Sequence, residues 1–497
     1  MKKSIQCILL FFIINSIVSY SQTVVSHPVP EEFLSRQYLV TVNGQTIPVF
    51  HAGLNVYFAS FDFTDKVEVK VTASKIAGVK STNAMYAGQV NFESKKPIEG
   101  AKFWLDSASV KPSSKNIKVI TKGAEASFLL TEPGQYTVER PGTSNYKDQV
   151  LFLFANKPET DRPKEGDKNV IYLKKGLHHK NIDLKSNQTL YLEAGAVLYG
   201  AVNVWNAKNV KILGRGTVVY CGPQCESNWY AAELNNLKNW HSLTTHNTQG
   251  LIVSGVTFIG KSRVFTIRLH STFDAIFDNI KVLGINPANV NGDGFDWQGG
   301  GRTKIINSLV RCADDCFAFF PYDPQEELPK GAKPTADDIA RSRETKDVTI
   351  ENCVLWSTIA NIFRVGGGIG GLRTSDIRLR NCDIIHHGRG EWLAPWSIIC
   401  SVAPEKIEKS IHSNYLLENL RFEEGLAFLG IQNEDIIFNN IIFKNLTMSG
   451  NIVPSLVKCE INGLSFENIK VNGKLIQSKV DVPFDPETKE IRNLSFK

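Results

Sequence analysis

Beyond residue 21 the chain of 497 residues has no stretch approaching about 18 uninterrupted apolar residues, which leaves no candidate for a membrane-spanning helix. It also lacks runs of Lys and Arg. The net charge of +6 is spread thinly, as on a mildly basic soluble surface, and argues against a nucleic-acid partner. Paired Cys-x-x-Cys motifs and His-Glu-x-x-His are absent, so no metal or other cofactor is expected. The close pairs Cys221/Cys225 and Cys312/Cys316, and the pair Cys353/Cys382, are expected to be buried apolar residues or disulfides.

What is present begins with an export signal. Lys2 and Lys3 form a basic start, Ile8 to Ile14 is almost wholly apolar, and Ser19-Tyr20-Ser21 offers a small-x-small cleavage site. A signal peptide is expected over 1–21, with Gln22 as the mature N-terminus and a secreted or periplasmic location. The full chain is 42% hydrophobic and 21% charged, as in an ordered globular protein. Its length suits two domains or a long repeat array.

Residues 22–160 are expected to form a β-sandwich. Val67, Val69 and Val71 alternate with Glu68 and Lys70, Asn43-Gly44 marks a hairpin, and further short strands follow around Phe128, Tyr136 and Val150. Residues 156–169 are rich in Pro, Lys, Asp and Glu and read as a boundary. The texture then changes. The pattern apolar-x-apolar-x-Asn recurs at Asn279, Asn307, Asn352, Asn381, Asn440 and Asn468, with steps of 28, 45, 29, 59 and 28 residues. The step of 59 reads as two periods, and that of 45 as one period plus a charged insertion between Asp323 and Lys346. Repeats of this length with β-rich segments predict a right-handed parallel β-helix over 161–497, in about eight coils of roughly 24–30 residues. The fold class is all-β.

The chemistry is concentrated in Gly292-Asp293-Gly294-Phe295-Asp296-Trp297 and Cys312-Ala313-Asp314-Asp315-Cys316. Asp314 follows Asp293 by 21 positions, about one coil, so Asp293, Asp314 and Asp315 are expected on one face as catalytic residues. Clustered acids repel, which keeps a proton available for acid catalysis. Hydrolysis of a glycosidic bond needs such an acid and a second carboxylate for the water. Candidate sugar contacts in neighbouring coils are Arg268, His270, Asp296, Trp297, Tyr322, Arg364, His386, Arg389 and Trp392. Trp229, Tyr230, Trp240 and His241 fall in a long interruption that suits a cleft wall. The arginines suit an anionic or sulfated glycan and salt bridges equally.

Asn291-Gly292-Asp293-Gly294 followed by Asp314-Asp315 resembles the pectinase-like β-helix glycosidases. The Gly-His-Gly and Arg-Ile-Lys motifs of glycoside hydrolase family 28 polygalacturonases are absent, and Asn361, before Ile362-Phe363-Arg364, stands where that His would be. The chain is more similar to glycoside hydrolase family 49, the dextranase and isopullulanase group, in which a β-sandwich precedes the β-helix. Asn381-Cys382-Asp383-Ile384-Ile385-His386 also resembles a segment of that family. The resemblance implies an inverting, endo-acting hydrolase in which Asp314 is the general acid and Asp293 and Asp315 hold and deprotonate water. It implies a polysaccharide partner and a monomer. Two other classes fit the same fold: a polysaccharide lyase and a non-catalytic glycan-binding β-helix.

Overall fold

The computed structural model describes residues 24–53, 56–73, 107–140, 143, 150–220, 239–261, 265–285, 292–321, 333, 335–366, 371–387, 397–401 and 409–497. The expected signal over 1–21 lies outside them, as do Cys221 and Cys225.

Among the described residues the N-terminal part forms one ten-stranded sheet and not two separate ones. Its strands alternate as the valines imply; Val67–Ala73 buries every second residue. The inward residues of the successive strands, among them Val40, Val69, Phe128, Val138, Leu153 and Phe61, meet in a single core. A sheet whose strands all share one core must curl around it, so the sandwich is made by bending and not by stacking. Residues 157–169 carry no strand and lead into the second part.

That part is a parallel β-helix with three faces. The twelve-stranded sheet is one face, and its strands pair in parallel except for the last, which folds back. Its eleven parallel rungs exceed the expected eight coils. The other two faces merge into one twenty-stranded sheet, because the strands Leu243–Ser254 and Phe295–Ile306 bend around a corner and pair on both sides of it. We call the face starting at Leu243 and Phe295 the first, the face after the bend the second, and the twelve-stranded sheet the third. The expected charged insertion holds the helix Ala336–Arg343, opened by a reciprocal cap between Thr335 and Asp338.

Asparagines do ladder at the turn after the second face. Asn419 donates to Asn381 at 3.0 Å, Asn445 to Asn419 at 3.1 Å and Asn468 to Asn445 at 2.9 Å. Each sits at a left-handed φ between 52° and 55°, which Asn tolerates better than most residues. Asn440 is not a rung. It lies within the strand Ile436–Lys444 and donates to Asn414 in a separate column. The 59-residue step, from Asn381 to Asn440, therefore passed over the rung Asn419 and stopped short of the rung Asn445, because both columns fit the same local pattern. The six cysteines of the described residues are free and buried.

The curled sheet docks on the outer side of the third face. Phe50, Phe58, Phe152 and Phe154 pack against Val219, Ile259, Leu283 and Trp356. Polar groups lock this apolar contact. Lys281 Nζ reaches Asn156 Oδ1 at 2.6 Å, and Arg215 pairs with Asp62 at 3.0 Å. His386, expected to touch sugar, belongs here instead. Its two nitrogens lie 2.7 Å from Glu139 of the curled sheet and 2.8 Å from Glu424 of the β-helix. A sequence scan sees a histidine in a coil but not the sheet that covers it.

Burial disfavours the His386 imidazolium, but Glu139 and Glu424 outweigh it and raise the pKa to about 9. A raised pKa means that the stabilisation is complete below the unfolded value of about 6.5 and is lost as pH rises through about 9. Glu139→Gln should cost about 3 kcal/mol in urea unfolding at pH 6.5. It should also remove most of the wild type's loss of stability between pH 7 and pH 10; equal losses in both proteins would refute the clamp.

Candidate active site

Strand register builds the site. Leu243, Ile267, Phe295, Phe317, Phe363 and Ile399 align coil over coil as inward core residues of the first face. The residues two positions before them are His241, Phe265, Asp293, Asp315, Asn361 and Ser397. These form one column at the corner where the third face turns into the first. Backbone bonds hold the column: Thr266 N donates to Asp293 O, Gly294 N to Asp315 O and Cys316 N to Asn361 O, at 2.9–3.0 Å. The spacing of 21 residues suggested Asp314 above Asp293; the register puts Asp315 there, with Asp314 beside it on the bend. A Cβ on Gly294 would lie 2.6 Å from the Cys316 carbonyl, so glycine is needed for the coils to close at this point.

One carboxylate oxygen each from Asp293, Asp314 and Asp315 lies within 4.8 Å of the others. Asp293 and Asp315 are buried and Asp314 is half-buried. Burial pushes the Asp293 carboxyl well above its ordinary pKa, helped by Asp296, Asp314 and Asp315 and opposed by Arg364. Burial also raises Asp315, against the pull of Arg364 and of hydrogen bonds from Asn361. Asn361 donates twice to Asp315 Oδ1, from its backbone N at 2.8 Å and its Nδ2 at 2.9 Å. Arg364 stays protonated: burial works against its charge, and Asp315, Asp293 and Asp314 more than compensate.

Asp296 is a fourth buried acid. It lies in register with Arg268 on the coil below and Ala318 on the coil above. Among the described residues no N–H group or alcohol hydroxyl donates to either of its oxygens. Burial, then Asp315, raises its pKa well above the ordinary value. Asp293 interacts with it directly, so one proton can be shared between the two.

Arg268, Asp296 and Arg364 occupy one outward row of the first face, and His270 and Gln298 the next. Arg268 donates to Gln298, and His270 lies 2.9 Å from His246. The Arg364 guanidinium sits 4.9 Å over the Phe320 ring. Phe320 is stacked on Phe265 at 6.2 Å and Phe265 on His241 at 5.5 Å, a ring wall beside the acids. Trp297 is not a sugar platform. Alternation turns it inward when Asp296 points out, and it packs fully buried against Phe295 and Phe319. Tyr322, Arg389 and Trp392 lie outside the described residues, as do Asn291, Trp229 and Tyr230. Sequence reasoning missed Phe265, Gln298 and the tie from Asn361 to Asp315. The signal for Phe265 and Asn361 was the position two before each aligned core residue, and for Gln298 its register with His270; only the strand pairing reveals either. Three single oxygens are also few for a divalent cation, which takes about six or more, and Arg364 already supplies a positive charge.

Raised carboxyl pKa values carry a stability consequence. The folded chain retains protons that the unfolded chain releases near pH 4, so stability falls as pH rises from there toward the folded values. Asp296→Asn should therefore raise stability at pH 7 by about 1–3 kcal/mol. The gain should shrink by pH 4.5. A variant less stable than wild type at pH 7 would contradict the assignment of Asp296 as an acid whose burial outweighs the pull of Arg364 and Arg268.

Residues 170–325 match the family model described as glycosyl hydrolases family 28. No curated protein matches the chain. Among solved structures, Dex49A from Penicillium minioluteum is 12% identical and superposes with a TM-score of 0.61, over 95% of this chain and 96% of that one. The exopolygalacturonase of Thermotoga maritima is 12% identical over 62% of this chain and 85% of its own, with a TM-score of 0.43. The fold therefore extends over both parts of the chain, and the family 28 match spans the segment that brings the acids. The chain thus shares the parallel β-helix fold of Dex49A, and within it residues 170–325 are similar to glycosyl hydrolases family 28.

Proposed function

We propose that the protein is an inverting glycoside hydrolase that cuts internal bonds of a polysaccharide. The observation that carries this reading is the triangle of Asp293, Asp314 and Asp315 oxygens within 4.8 Å. One water can accept this geometry, because two hydrogen bonds of about 2.8 Å span up to about 5.5 Å. Asp314, the half-buried member, faces the substrate side and protonates the glycosidic oxygen. Asp293 and Asp315 hold the water and take its proton as it attacks the anomeric carbon. The acids approach more closely than the roughly 6.5–9.5 Å common to inverting pairs, so inversion rests here on the shared water and on the family resemblance.

The charge of Arg364 is balanced by the three acids, which supports a neutral sugar at the scissile bond over a sulfated or uronic one. The resemblance to the dextranase group points the same way, to an α-glucan. The start of the chain supports export, and N-terminal sequencing of the mature protein should begin at Gln22.

A screen of plant, algal and bacterial polysaccharides for new reducing ends should find a substrate, and proton NMR of the first product should show inverted anomeric configuration. Asp314→Asn should lower kcat at least about 100-fold with an unchanged melting curve. Retained configuration would overturn the mechanism. A product absorbing in the ultraviolet would mean a lyase, and binding without reducing ends would mean a glycan-binding protein.

A further inference from the structure

The two water-holding acids of the proposed mechanism are not equivalent, and the difference lies in what each touches. Asp315 has one oxygen saturated: Oδ1 accepts both the backbone N and the Nδ2 of Asn361. Its other oxygen, Oδ2, is fully buried and has no partner among the described residues. Among the described residues no amide donates to the Asp293 carboxylate. Three acids, Asp296, Asp314 and Asp315, act on it, with Asp296 strongest after burial itself, and Arg364 alone opposes them.

Asn361 is itself held. Its Oδ1 accepts from the backbone N of Ser397 at 3.1 Å, with the Ser397 hydroxyl 3.4 Å away. The single hydroxyl proton is shared with the Ile399 carbonyl, which is nearer at 3.0 Å, so the backbone N is the firmer hold on Asn361. The amide orientation of Asn361 follows from this. Its oxygen faces a backbone donor on the next coil up, so its NH2 must face down, toward Asp315. Ser397, Asn361 and Asp315 are consecutive members of the corner column, one per coil. The column thus passes hydrogen bonds downward and ends on a single carboxylate oxygen.

We propose that Asn361, oriented by Ser397, is the positioning residue that makes Asp315 the base for the attacking water and leaves Asp293 as the proton-sharing partner of Asp296. Donors on Oδ1 stabilise the ionised carboxylate and fix its plane. That directs the unpartnered Oδ2 to the water. In the chemical step the water's O–H bond breaks and its proton passes to Asp315 Oδ2. The water oxygen forms the new bond to the anomeric carbon, and the glycosidic oxygen leaves with the proton of Asp314. A carboxyl that shares a proton with its neighbour cannot serve as that acceptor, so Asp293 orients the water through a hydrogen bond instead. The assignment rests on the hydrolase reading above and separates two residues which that reading treats alike.

The test has one arm that needs no activity. Carbon-13 labelling of aspartate carboxyls, with the Asp315 signal assigned by its loss in Asp315→Asn, follows its titration directly. Asn361→Ala removes the Nδ2 donor, so the ionised form loses support and the Asp315 pKa should rise by about one unit. Ser397→Ala should move it in the same direction by less, and decides the matter if Asn361→Ala does not fold. An unchanged or lowered Asp315 pKa in the folded variants would overturn the proposal. The second arm uses whichever polysaccharide the wild type cleaves. The acidic limb of kcat/KM should move upward in Asn361→Ala by the same amount. Asp315→Asn should lower kcat by about 1000-fold or more and Asp293→Asn by about 10–100-fold. Equal losses, or a larger loss at Asp293, would overturn the division of roles. Absence of cleavage by the wild type on every glycan would instead defeat the hydrolase reading and leave the carboxyl titration to judge the Asn361 contact.

Discussion

Parallel strands in register impose one rule on this molecule: equivalent positions of successive coils stand above one another at about 4.8 Å. Because Phe295 aligns with Phe317, Asp293 has to stand under Asp315. Neither acid can be moved away from the other without breaking the backbone bonds from Thr266 to Asp293 and from Gly294 to Asp315. The repulsion between them is therefore a property of the fold and is not relieved by side-chain choice. Arg364 and Asn361, both brought in by higher coils of the same stack, are the groups that make it tolerable. The same rule that gathers the acids also supplies their counterweights.

The three faces of the β-helix divide the work. The third is covered by the curled sheet and contributes Trp356, His386 and Lys281 to a contact between the two parts. The second ends in the asparagine ladder and secures coil to coil. The first carries charged and aromatic groups on its outer side, including Arg268, Asp296 and Arg364. Its alternating neighbours Phe295, Trp297, Phe317 and Phe319 form a dense aromatic core behind them. Large fully buried rings on the inner side give the outer acids a stiff backing, since packed interiors yield little to strain.

Much of this was legible in the chain itself. The asparagine rhythm announced stacked coils, and the valine alternation announced the N-terminal strands. The adjacency of Asp314 and Asp315, one coil from Asp293, announced the acids. Errors arose where a local pattern had two solutions. Asp296 and Trp297 are neighbours on a strand, so one must point in and the other out, and only the core aligned through Phe295 shows which. Asn440 and Asn445 both follow apolar alternation, and only the ladder shows which is a rung. His386 could be placed on a coil but not on a side of it, because the partner that covers it is Glu139, 247 residues earlier. Register and long-range contact decide each case, and neither is a local property of sequence.

The coils that meet at the corner differ greatly in length. From Phe295 to its register partner is 22 residues, ending at Phe317, while the next step, from Phe317 to Phe363, takes 46. The column keeps its alignment across both. Extra residues leave the stack between strands and rejoin it without displacing the aspartates, in the way that long surface insertions cost little closure entropy. A lineage can thus lengthen, shorten or exchange the segments beside the acids while the acids themselves stay put. The architecture separates heritable reactivity from heritable recognition, and a new polymer can be adopted by rewriting the excursions alone.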